Sequence, residues 1–206
     1  MKKISFCISL LSTLTSVAQV DFQTIDFKEA MSMAKKQDKP VFLYAYSNWC
    51  EPCEAMDDYT LADLEVANYY NNRFVNIRLD MEAYPGAEIA EAYDVTIYPG
   101  MLFLDSEGNV IHRGCGSMDS GEFLELGKKT FEQENFSSFQ DKYHKGDRDA
   151  AFLLRFLEVM EDACLDAEGL AQKVMSEIAD KDLLLESSFS LIENHQWDIF
   201  SREFQY

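Results

Sequence analysis

The stretch that decides the fold is Val41-Phe42-Leu43-Tyr44-Ala45-Tyr46-Ser47-Asn48-Trp49-Cys50-Glu51-Pro52-Cys53. Its first six residues are short, aromatic and almost without polar side chains, which predicts a buried strand, and Pro40 stops any helix before it. From 51 to 70 the apolar positions Met56, Tyr59, Leu61, Leu64, Val66, Ala67 and Tyr70 recur at helical intervals, predicting one or two helices. Two cysteines separated by two residues close a disulfide only where the chain turns sharply, as in the first turn of a helix. Cys50 then lies at the helix N-terminus, where unsatisfied amides and the macrodipole favour an anion and lower the thiol's pKa. One thiolate attacks a disulfide and Cys53 resolves the mixed disulfide from within the same turn. Pro52 falls among the opening residues, where an amide hydrogen has no helical partner.

Outward from that point, residues 27–36 carry Phe27, Ala30, Met31 and Ala34 at helical spacing, and residues 74–80 alternate apolar and polar as a strand does. A short helix is expected at 87–93. Strand-like runs at 95–97 and 101–104 flank Tyr98-Pro99-Gly100. Asp105-Ser106-Glu107-Gly108-Asn109 supplies turn chemistry before another strand at 110–113. A meander that follows a crossover implies a mixed sheet. Asp119 or Ser120 is placed to cap a helix running to about 131. From 136 onward strand signals stop. Residues 151–160 and 170–178 have helical spacing, punctuated by Gly146 and Gly169, so a helical extension is expected over 136–206.

Lys2 and Lys3, the apolar run to Leu14, and Ser16-Val17-Ala18 read as an export signal over 1–18, too short to span a bilayer. Phe6 stands where a lipoprotein signal wants a small residue before its cysteine, which argues against a lipid anchor at Cys7. The whole chain of 206 residues carries a formal charge of -19, and loss of Lys2 and Lys3 takes it to -21. Such a chain repels phosphate backbones, so nucleic acid is excluded as a partner. Four cysteines remain beyond the signal: one close pair and the two singles Cys115 and Cys164. That is a redox or metal pattern rather than a disulfide-dense scaffold. Cys164 shares helical spacing with Leu153, Phe156, Leu157 and Met160 and reads as core filling.

The order strand, Trp-Cys-x-x-Cys, helix, strand, helix, Pro-bearing strand, hairpin and helix resembles thioredoxin. Lys39-Pro40, Trp49, Met56, residues 74–80, Tyr98-Pro99 and Asp105-Ser106-Glu107-Gly108 are similar to its exported branch. The resemblance covers about 26–131. It implies an α/β thioredoxin fold, a central mixed sheet flanked by helices, over 19–135, with the helical extension attached. It also implies a thiol:disulfide oxidoreductase with Cys50 as nucleophile and Cys53 resolving, needing no cofactor beyond its own disulfide. Pro99 resembles the family's cis-proline, facing the cysteines. Trp49, Tyr98, Pro99 and Gly114 would then border the client, with the Tyr98 backbone pairing to it by strand addition. Implied partners are protein disulfide or dithiol clients and an electron-donating thiol partner, membrane-bound in one version. The tail is free to bind a further partner.

The departures from the family set the expected tuning. Tyr44 stands where thioredoxin keeps a buried acid opposite the resolving cysteine. Glu51 replaces a small residue between the cysteines, and Glu54, Asp57 and Asp58 crowd the same helix start. These charges oppose the thiolate, favour the disulfide and make the couple reducing or isomerising. Cys115, in Gly114-Cys115-Gly116, is a candidate third thiol weighed against a buried hydrophobe in a tight turn. Two other readings compete with redox chemistry: a zinc site of Cys50, Cys53, His112 and Cys115, and a non-catalytic interaction module with a gripping tail. His144 and His195 have no ligand-spaced companions. No glycine loop has the spacing that cradles a nucleotide.

Overall fold

The computed structural model describes residues 19–166 and 169–172. The expected signal at 1–18 with Cys7, most of the 170–178 helix, His195 and the chain end lie outside the described residues.

Acidic caps start most of the helices. Asp26 opens α1 (Phe27–Gln37) and Asp119 opens α5 (Ser120–Lys129), each in a capping box with a glutamate three residues on. Between them lie β1 (Val41–Tyr46), α2 (Glu51–Ala55), α3 (Leu64–Arg73), β2 (Val75–Asp80), α4 (Gly86–Ala92), β3 (Gly100–Leu104) and β4 (Val110–Cys115). The strand order is β2-β1-β3-β4. β1 runs parallel to β2, with Val41 opposite Val75, and antiparallel to β3, with Val41 opposite Leu104. β3 and β4 form the antiparallel hairpin. The sheet is therefore mixed, as expected.

The alternation of β1 and β3 divides the core in two. Phe42, Tyr44, Met101 and Phe103 face Cys50, Cys53, Met56, Tyr70 and Phe123. Val41, Leu43, Ala45, Leu102 and Leu104 face α1 and α4. Phe42 is the hub of the first cluster, with ring centroids 4.9 Å from Tyr70, 5.2 Å from Phe103 and 5.6 Å from Phe123. Tyr70 stacks on Phe123 at 4.4 Å and donates its hydroxyl to the Phe123 carbonyl. That ring crosses α5 where Gly127 leaves room. A Cβ there would lie 2.8 Å from the Tyr70 hydroxyl. Gly127→Ala is expected to lower stability by about 1–3 kcal/mol through this overpacking, despite alanine's better helix propensity. A urea midpoint equal to or above that of the parent would overturn the assignment.

One expectation needs correction. Residues 95–97 are not a strand. Val95 N–H closes the end of α4 on the Ala90 carbonyl, and the chain then enters a cis Tyr98–Pro99 bond before β3 begins. The run is instead a connection in which Val95 is buried while Thr96 and Ile97 are exposed. Residues 51–70 hold two helices, within the expectation: α2 passes into a π-helical turn at Met56–Thr60, and α3 starts anew on Asp63, whose carboxylate accepts from the Glu65 and Val66 amides.

The extension begins with α6 (Phe136–His144) and α7 (Ala150–Asp162). These helices share an aromatic core of their own, Phe139 stacking on Phe152 at 5.8 Å with Tyr143 against Phe156 at 5.1 Å. They are tied to β4 at His112, whose Nδ1 accepts from the Phe136 amide at 3.3 Å.

Candidate active site

β1 ends beneath the dithiol, and Ser47 to Trp49 carry the chain up to Cys50. Cys50 is the N-cap of α2, and its Sγ accepts from the Cys53 amide at 3.2 Å. A first-turn amide thus already points at the sulfur that would carry negative charge. Cys50 and Cys53 are joined in a disulfide with Cα atoms 5.2 Å apart, and both are buried. Pro52 occupies an opening position of the helix, as expected. Trp49, the residue before Cys50, is 71% exposed, its ring edge-on to Tyr98 at 6.0 Å. Tyr98–Pro99 is cis. The Pro99 carbonyl accepts from Gly116, which links this loop to the end of β4.

Tyr44 lies fully buried and donates its hydroxyl to the Cys53 carbonyl at 3.4 Å. Burial above all, helped by the Asp57 carboxylate and opposed by Arg78, raises its pKa well beyond the ordinary phenol value. Arg78, on the same face of β2, forms a two-bonded ion pair with Asp57 and lies over the Tyr46 ring at 4.5 Å. Sequence reading missed this residue. Its only signal was a basic side chain on the polar face of a strand next to β1. The pairing also corrects the reading of Asp57, whose charge is compensated by Arg78. Glu51, Glu54 and Asp58 remain exposed around the helix start. Asp80, at the end of β2, accepts from Asn48 Nδ2 and from the Glu82 amide. Burial first, then the neighbouring Glu82 and Asp80 carboxylates, raises the Tyr98 pKa.

Gly114 is buried beneath α5, where a Cβ would meet Leu126 at 2.9 Å. Its lack of a side chain has a packing reason. Cys115 is neither a third free thiol nor a simple hydrophobe: it is bonded to Cys164. Cys164 is correspondingly not core filling but half-buried beyond the end of α7. The zinc set is not assembled either. Cys115 alternates to the opposite side of β4 from His112, and the His112 Nδ1 lone pair is engaged by Phe136. Among the described residues no group of three or more His, Cys, Asp or Glu is placed to hold a metal ion.

The comparisons agree with this geometry. A relative from Yersinia pestis (strain Pestoides F), "Thiol:disulfide interchange protein DsbD", is 31% identical over 116 residues, 53% of this chain. The chain spans only 19% of that relative's length. "Disulfide bond reductase DsbH" of Chlamydia pneumoniae is 25% identical over 107 residues, 47% of this chain and 64% of the relative. Among solved structures, a putative disulphide-isomerase from Bacteroides thetaiotaomicron is 35% identical with a TM-score of 0.53. It is matched over 98% of its length and 58% of this chain. The family described as thioredoxin-like domain matches residues 27–131, more than half of the chain, and the chain belongs to that thioredoxin-like family.

Proposed function

We propose that the protein is a thiol:disulfide oxidoreductase of the cell envelope that reduces or isomerises protein disulfides. The observation that carries this reading is the Cys50 sulfur, held at the α2 N-terminus within reach of the Cys53 amide and bonded to Cys53. In the reduced state the Cys50 thiolate attacks one sulfur of a client disulfide, and the other client sulfur leaves as a thiolate. Cys53 then attacks the Cys50 sulfur, releasing the client as a dithiol and closing the disulfide. An external dithiol returns the two electrons, so the chemistry calls for no further cofactor. Trp49, Tyr98 and Pro99 border the client, and Tyr98 offers its backbone to an extended segment. Tyr44, already donating to Cys53 and kept protonated by burial, supports the helix start rather than taking up a proton.

Export is supported by the signal-like leader. Among the described residues no helix is long and apolar enough to cross a membrane. The reducing direction rests on the carboxylates of Glu51 and Glu54, which flank the thiolate and weaken it relative to the disulfide. With dithiothreitol as electron source, the full chain should accelerate insulin reduction over dithiothreitol alone. Equilibration with glutathione should place the Cys50–Cys53 couple below about -180 mV. A value near the roughly -120 mV of strong oxidants would reverse the proposed direction.

A further inference from the structure

The second cysteine pair lies outside the redox site and has a different setting. Cys115 is the last residue of β4 and sits opposite Gly100, the residue after the cis-proline. Cys164 lies 49 residues later, past the end of α7, with Cα atoms 6.0 Å apart, a span a disulfide bridges without moving the backbone. Cys164 also has a left-handed backbone, φ 49°. That is the position after a helix where glycine or asparagine is the usual occupant, and a cysteine there is held against a conformational cost. A covalent tie accounts for the residue choice. Around the pair, Ala163 and Cys164 share one crevice with Val95, Ile97 and Gly100. The end of α7 is therefore seated on the loop that presents the cis-proline.

We infer that Cys115–Cys164 is a covalent latch, separate from the catalytic couple, that fixes the helical extension as a rigid flank of the client-binding end. Its formation is a thiol–disulfide exchange. One of the two thiolates attacks an external disulfide such as oxidised glutathione and releases one thiolate. The second cysteine displaces the other, so two cysteine thiols become one bond and one external disulfide becomes two thiols. The latch closes a loop that contains α5, α6 and α7. Holding α6 through His112–Phe136 and the end of α7 through this bond leaves the helix pair little freedom to open locally. Both sulfur-bearing residues are half-buried, so a solvent dithiol such as dithiothreitol can attack the bond, freeing two cysteine thiols as it closes its own disulfide.

Two measurements on the full chain test this. After equilibration with oxidised glutathione, alkylation without reductant and proteolysis, mass spectrometry should find the Cys115 peptide linked to the Cys164 peptide. Cys50 should remain linked to Cys53. Recovery of Cys115 and Cys164 as alkylated thiols would overturn the latch whatever happens at Cys50. In hydrogen exchange, Cys164→Ser should speed the amides of α7 by about tenfold or more while those of β1 and β3 stay as slow as in the parent. Unchanged α7 exchange would show that the bond anchors nothing. Neither readout depends on oxidoreductase activity.

Discussion

Cys50→Ser is expected to abolish insulin reduction to the rate of dithiothreitol alone, whereas Cys53→Ser should retain the first attack and stop there. The asymmetry follows from position. Only Cys50 sits at the N-cap, where the Cys53 amide meets its sulfur and the helix dipole favours a thiolate. A serine hydroxyl at that site is a far poorer nucleophile at neutral pH, so catalysis should fall by at least about 10³-fold. Cys53 lies inside α2 with its carbonyl bound by Tyr44, pointed at the Cys50 sulfur rather than at solvent. Its loss leaves the mixed disulfide nothing to resolve it. Cys53→Ser should therefore accumulate covalent adducts with a disulfide-bonded client, visible on non-reducing gels and cleared by dithiothreitol. Equal activity of Cys50→Ser and parent would remove the proposed chemistry, and adducts formed by Cys50→Ser instead would exchange the two roles.

Much of this site was legible because its parts are local. A six-residue apolar strand, a C-x-x-C and a proline after Tyr98 are each short signals whose spacing survives in one dimension. The π-helical turn at Met56–Thr60 was hidden because its apolar positions still recur at near-helical intervals, and only the new cap at Asp63 marks the break. Val95 to Ile97 misled because a short apolar run packs equally well as a strand or as a connection closing a helix. The Cys115–Cys164 bond was unreadable for a different reason. Cys164 does share helical spacing with the α7 core, and nothing in the sequence says that α7 ends two residues before it and that Cys164 itself turns left-handed. Arg78 was passed over likewise, since its ion pair with Asp57 joins residues 21 apart across two elements.

Acid should weaken the protein through His112. This imidazole is buried on β4, its Nδ1 accepts from the first amide of α6, and its Nε2 is buried without a partner among the described residues. Accepting at Nδ1 requires the neutral ring. Burial first, then the nearby Lys129, lowers its pKa to about 4 from an ordinary 6.5. Between those two values the unfolded chain binds a proton that the folded chain refuses, so stability falls as pH drops from about 6.5 towards about 4. The full difference is worth about 3 kcal/mol, a large share of an ordinary domain's stability. Protonation would also turn the Phe136 acceptor into a donor and set two donors against each other, so the loss should be felt first where α6 meets the sheet. His112→Gln keeps an acceptor for Phe136 and cannot titrate in this range. Urea midpoints at pH 7.5 and 4.5 should therefore converge for His112→Gln relative to the parent, the parent losing about 2–3 kcal/mol more over the same interval. Parallel pH profiles for the two chains would assign the acid sensitivity to the carboxylates and leave His112 as packing alone.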